Sequence, residues 1–247
     1  MTGIGEDEGA FRTADGVTLR YTRRTRGAES AILVVPGILN HRDGPEHRAL
    51  AGRLLGVADV VTLDVRGHGD SGGAFSWGLK EPEDVAALAA ELRGRYARVG
   101  GLGFSFGGFH VCVAAALHRS FDAVALVAAP ARLFILDHGF VGRGLRRQLP
   151  LMLRRKRRPA RLFPVPFGRR AVPLRLVDRI APVPLLVAHG TEDWLIPAKH
   201  ARRLHARAGD PKELRLVVGG LHAEYMIADD PEPLLEPLAS FFDRRLR

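Results

Sequence analysis

RVGGLGFSFGG, residues 98–108, passes from an apolar run into a small-residue stretch that holds one serine in the frame Gly103-Phe104-Ser105-Phe106-Gly107. Val99 to Phe104 reads as a buried strand, and Phe109 to Leu117 as a helix of small and apolar residues lying close against a sheet. Between the two the chain must turn sharply. Glycines on either side of the serine let the backbone pass without collision, and the Ser105 hydroxyl is left standing above the sheet edge.

A serine hydroxyl is a weak nucleophile, so this reading needs a histidine base and a carboxylate to hold that histidine. Both occur downstream in a suitable order. The apolar run Pro184 to His189 ends in Gly190-Thr191-Glu192-Asp193, and the run Leu214 to Val218 ends in Gly219-Gly220-Leu221-His222. Each candidate follows an expected strand. The interval leaves room for one crossover helix, Ala198 to Ala206, which would set two parallel strands side by side and bring Asp193 and His222 together over adjacent strand ends. The neighbouring Glu192, and Asp137 or Asp178 elsewhere, are the other carboxylates open to this role.

Further motifs stand in register with these. ILVVPGI at 32–38 is a buried run followed by a turn, and VVTLDVRGHGDSGG at 60–73 is a strand followed by an Arg-Gly-His-Gly-x-Ser turn. Taken with the serine turn, GTEDWLIP and GGLH, nearly the whole chain resembles the α/β-hydrolase family. The resemblance implies an α/β fold, with a mostly parallel eight-stranded twisted sheet, helices on both faces and a cap inserted after the sixth strand. It makes Ser105 the nucleophile, Asp193 the acid and His222 the base, with the amides of Phe106 and Ile38 forming an oxyanion hole. Many members carry His-Gly where this chain has Pro36-Gly37.

The remaining elements fit. Phe11 to Thr13 and Val17 to Thr22 flank Asp15-Gly16, a hairpin signal. Helices are expected at Glu46 to Leu55 and Glu83 to Tyr96, a further buried strand at Phe121 to Ala128, and a C-terminal helix containing Phe241. With 247 residues, 46% of them apolar, one domain over 1–247 is expected. Residues 1–9 lack the basic-then-apolar pattern of a secretory signal, and no apolar stretch is long enough for a membrane span. The single cysteine, Cys112, excludes an internal disulfide and agrees with a cytoplasmic location.

Arg132 to Asp178 breaks the strand and helix alternation and reads as the cap. Its apolar residues, among them Phe134, Phe140, Leu149, Leu151 and Phe163, would wall an acyl site. Its charge is one-sided: His138 to Val177 holds twelve Arg or Lys and no acid. The whole chain has 37 basic and 27 acidic residues, so the remainder holds 25 against 27 and is near neutral. Two readings stand. Arg143, Arg146, Arg147 and the run Arg154 to Arg158 either form a solvated face, or attract an acidic carrier protein or an anionic substrate end such as coenzyme A.

Competing chemistries lack support. Gly67-His68-Gly69-Asp70-Ser71-Gly72 satisfies a dinucleotide pattern, but no helix opens directly after it. The ten histidines lack structural-zinc spacing, so no metal and no cofactor is expected. No nucleic-acid module accompanies the basic run. The leading expectation is therefore a serine hydrolase cleaving a carboxylic ester of a small or medium acyl group. The alternative is a thioesterase or acyltransferase for carrier-bound or coenzyme A-bound chains. Behind these stand a peptidase and a catalytically silent binding protein on the same scaffold.

Overall fold

In a computed structural model of the chain, which describes residues 3–132, 146–147, 149–151, 160–162 and 168–247, eight strands form one sheet. The strands are β1 (Gly5–Arg12), β2 (Thr18–Thr25), β3 (Ser30–Val35), β4 (Asp59–Asp64), β5 (Arg98–Phe104), β6 (Ala123–Val127), β7 (Leu185–Gly190) and β8 (Lys212–Val217). Their spatial order is β1-β2-β4-β3-β5-β6-β7-β8. The first two pairings are antiparallel and every pairing from β4 to β8 is parallel. The central strands are buried on both sides and accordingly read as continuous apolar runs.

Side-chain alternation divides the core into two layers. Ala31, Leu33 and Val35 of β3 pack on one side of the sheet with α2 (Glu81–Arg93), α3 (Phe106–His118) and the later crossover helix α5 (Lys199–Arg207). Ile32 and Val34 pack on the other with α1 (Pro45–Leu54) and α7 (Glu232–Leu246), where Phe241 and Phe242 are buried. Two shorter helices, α4 (Pro173–Leu176) and α6 (Tyr225–Asp229), adjoin the strand ends. α2 opens with Pro82 at its start and acids at 81, 83 and 84, where the helix dipole favours them. Cys112 lies inside α3, and burial pushes its thiol up to about 12, so it packs as an apolar group and stays protonated at neutral pH.

The glycines of the serine turn are sterically required. A Cβ on Gly107 would stand 2.0 Å from the carbonyl oxygen of Val35, and one on Gly103 would stand 2.4 Å from that of Gly107. Glycine at both positions lets α3 start in direct contact with β3 and β5.

One expectation is corrected. The first strand begins well before Phe11, because Gly5–Arg12 pairs along its whole length with β2 although it has no buried face. Cross-strand ion pairs Arg23–Asp7 and Arg24–Glu6 accompany this pairing. The Gly-rich turn 67–72 folds back on itself through bonds from Gly67 N to Gly72 O and from Ser71 Oγ to Asp64 O, and the next helix is α2.

The insertion expected at 132–178 falls between β6 and β7. Its four phenylalanines and its Arg154 to Arg158 run lie outside the described residues, as does Asp137. Among those described, Arg161 exchanges backbone bonds with Gly67 and Phe75, and Arg147 pairs with Asp229. Among the described residues no helix is long and apolar enough to cross a membrane.

Candidate active site

Ser105 joins β5 to α3 with φ of 52° and ψ of −119°, a left-handed backbone that a non-glycine residue adopts at a cost. The tight packing of Gly103 and Gly107 fixes that geometry from both sides. The Ser105 Oγ lies 3.0 Å from Nε2 of His222, and His222 Nδ1 lies 2.7 Å from Asp193 Oδ2. All three side chains are buried. Asp193 follows β7 and His222 follows β8, and these strands are parallel neighbours, so adjacency of the strand ends brings the carboxylate to the imidazole.

Each member is held by more than the next. Asp193 Oδ1 accepts the backbone N–H groups of Leu195 and Ile196, which leaves Oδ2 aimed at His222. His189 Nε2 bonds the Ile196 carbonyl oxygen and lies 3.1 Å from Asp193 Oδ2. Burial disfavours a charge on Asp193, but His222 and His189 together hold its carboxyl well below the usual range. For His222, burial again works against the charged form; the Asp193 carboxylate, with a smaller effect from Glu224, outweighs it and raises the imidazole above its ordinary value. Of the other described carboxylates weighed as acid, Glu192 and Asp178, the latter pairs with Arg207.

Ser105 and His222 open on a cavity of about 130 Å³ that Gly37, Ile38, Leu39, Asn40, Trp194, Leu195, Glu224 and Tyr225 complete. Phe106 is the first residue of α3, and the leading amides of a helix have no carbonyl inside the helix to accept them. Ile38, in the loop after β3, borders the cavity. Of the large apolar residues in the loops around the site, Leu39 and Trp194 line it. Trp77 instead packs on Phe75 and Phe106, and Leu221 is fully buried. His68 stacks edge-on against Phe75 and bonds the Arg66 carbonyl oxygen, which stiffens the turn after β4.

Sequence reasoning did not single out Glu224, nor did it give His189 a partner. Glu224 is buried, and its Oε1 accepts the Gly37 N–H at 2.8 Å. Its only sequence signal is an acid two residues after the histidine. His189 closes an apolar run, where a polar residue at the sheet edge is the available hint.

Residues 30–177 match a family model for the alpha/beta hydrolase fold. Among solved structures, the α/β-hydrolase GrgF from Penicillium sp. sh18 superposes with a TM-score of 0.79 at 18% identity, over 98% of this chain and 99% of that one. The esterase Pf2001 of Pyrococcus furiosus gives 0.78 at 20% identity, over 99% and 94%. At these identities the likeness is one of fold. A curated relative, the uncharacterized protein YfhR of Escherichia coli strain K12, is 40% identical over 48 residues; the match spans 19% of this chain and 17% of that protein.

Proposed function

Because the chain belongs to the α/β-hydrolase family, we propose that it is a serine hydrolase cleaving a carboxylic ester of a small or medium acyl group. The observation that carries this reading is the continuous chain from Asp193 Oδ2 to His222 to Ser105 Oγ, ending at a cavity. With Nδ1–H donated to Asp193, His222 Nε2 is left as the acceptor for the Ser105 proton. The Ser105 oxygen attacks the ester carbonyl, the Ser–O–C bond forms, and the amides of Phe106 and Ile38 receive the oxyanion. Collapse expels the alcohol, which takes its proton from His222 Nε2. A water molecule then attacks the acyl-enzyme, His222 removing its proton, and the acid departs as Ser105 is reprotonated. The cavity, about 130 Å³, is close to that of a benzene-sized void of ~150 Å³. This supports a short acyl group at that position.

Labelling of the intact protein with a fluorophosphonate tests the reading. The expected result is a single adduct on Ser105 by mass spectrometry, absent in His222→Ala. A folded wild-type protein that stays unlabelled would sink it.

One observation favours the thioesterase or acyltransferase alternative. Arg132, Arg175, Arg203 and Arg207 line an open cavity of about 660 Å³, and among the described residues only Arg207 has a carboxylate partner, Asp178. A phosphate-bearing substrate end or an acidic carrier would suit that surface. For such a substrate kcat/KM should fall steeply as salt rises from 50 to about 500 mM, while a neutral ester stays flat, because exposed charges are screened within about a Debye length. Flat behaviour for both substrates removes the alternative.

A further inference from the structure

Gly37 is wedged between the serine and a buried acid: a Cβ placed on it would stand 3.1 Å from Ser105 Cβ and 3.3 Å from both Glu224 Oε1 and Asn40 Nδ2. The acid reaches it across the fold. Glu224 follows His222 by two residues, with Ala223 between them at φ of 46°, and the turn directs the carboxylate away from α6 and back toward the loop after β3. There Oε1 accepts the Gly37 N–H at 2.8 Å, and His47 of α1 brings its Nε2 to 3.4 Å from the same oxygen. His47 is itself fully buried and stacks edge-on against Phe104, so it is a fixed neighbour.

Resting on the serine-hydrolase reading above, we infer that Glu224, backed by His47, is a positioning residue that clamps the Pro36–Ile38 loop and so orients the Ile38 amide toward the oxyanion above Ser105. A backbone loop holding one oxyanion donor must be rigid, because a preorganised donor gains its advantage from not having to reorient during the reaction. With the Gly37 N–H committed to Glu224, the next amide along, that of Ile38, is the one the loop has to offer. The same carboxylate ties this loop to the segment that carries the base, so the two halves of the site are linked through one side chain. Its charge also acts on His222, which faces Asp193, Ser105 and Glu224.

Three variants separate these effects. Glu224→Ala removes the acceptor, Glu224→Gln keeps an acceptor and removes the charge, and Glu224→Asp keeps the charge and shortens the reach. Hydrogen–deuterium exchange of the peptide covering residues 36–40 is expected to rise in Glu224→Ala and Glu224→Asp and to stay near wild type in Glu224→Gln. In the same two variants kcat on a neutral ester is expected to fall about 10-fold or more with KM little changed, a fraction of the ~100-fold or greater loss typical when an oxyanion donor is removed outright. Glu224→Gln should recover most of kcat, while the acid limb of its kcat/KM profile moves to lower pH, because His222 then loses its proton more easily. Should Glu224→Ala not fold, Glu224→Asp carries the same exchange test. Exchange in 36–40 unchanged by Glu224→Ala or Glu224→Asp would overturn the inference. Because exchange does not depend on turnover, that failure is distinct from failure of the hydrolase reading, which an unlabelled wild-type Ser105 would announce.

Discussion

Ser105→Ala is expected to lower kcat on an activated ester on the order of 10⁴- to 10⁶-fold while leaving circular dichroism and Tm close to wild type. The loss is large because the other two members have no purpose in acyl transfer without the hydroxyl. His222 has nothing to deprotonate except water, and no covalent intermediate divides the reaction into two easier steps. Stability should hold because the backbone at 105 bears its left-handed conformation with either side chain, both having a Cβ, and the serine oxygen contributes one hydrogen bond, to His222. Turnover within about tenfold of wild type in a purified, folded variant would move the nucleophile elsewhere.

Asp193→Asn is expected to cost about 10⁴-fold in kcat, nearly as much, although it changes only one atom. The geometry explains why. Oδ1 is committed to the amides of Leu195 and Ile196, so in the variant the carbonyl oxygen of Asn takes that place and its NH₂ group faces His222 Nδ1. Nδ1 must then accept, the proton moves to Nε2, and Nε2 can no longer take the proton of Ser105. The variant also removes the charge that raises His222. Fluorophosphonate labelling should slow in parallel with turnover, since both need the same proton transfer. A variant that keeps more than a tenth of wild-type kcat would show that another carboxylate serves the base. The half-buried Asp178, already paired with Arg207, would be a poor substitute.

Much of this site is legible in the sequence because its members fall where local structure changes. The serine sits between an apolar run and a helix, Asp193 follows the end of the buried β7 and His222 the end of the half-exposed edge strand β8; strand ends of a parallel sheet gather on one side regardless of what lies between them. The crossover helix expected at Ala198 to Ala206 is found at Lys199–Arg207, a shift of one residue. Glu224 was not legible, because its partner Gly37 is 187 residues away and an acid near a helix start looks like any other. The interaction of His189 with Asp193 was hidden for a related reason: periodicity tells which way a strand residue points, not what it meets. The first strand escaped in the opposite sense. Its residues Gly5 to Arg12 face solvent almost throughout, so no alternation of apolar and polar residues marks it, and it is held by pairing to β2.

That solvent-facing strand has a bearing on how the protein behaves in company. Among the described residues the sheet is open, and the outer rims of β1 and β8 present backbone groups to an extended chain that comes alongside. Both rims are studded with charge: Glu6, Asp7 and Glu8 on one, Lys212, Glu213 and Arg215 on the other. A newcomer strand would have to bury those side chains or break ion pairs such as Arg23–Asp7, and this deters the stacking of sheets from crowded molecules into fibres.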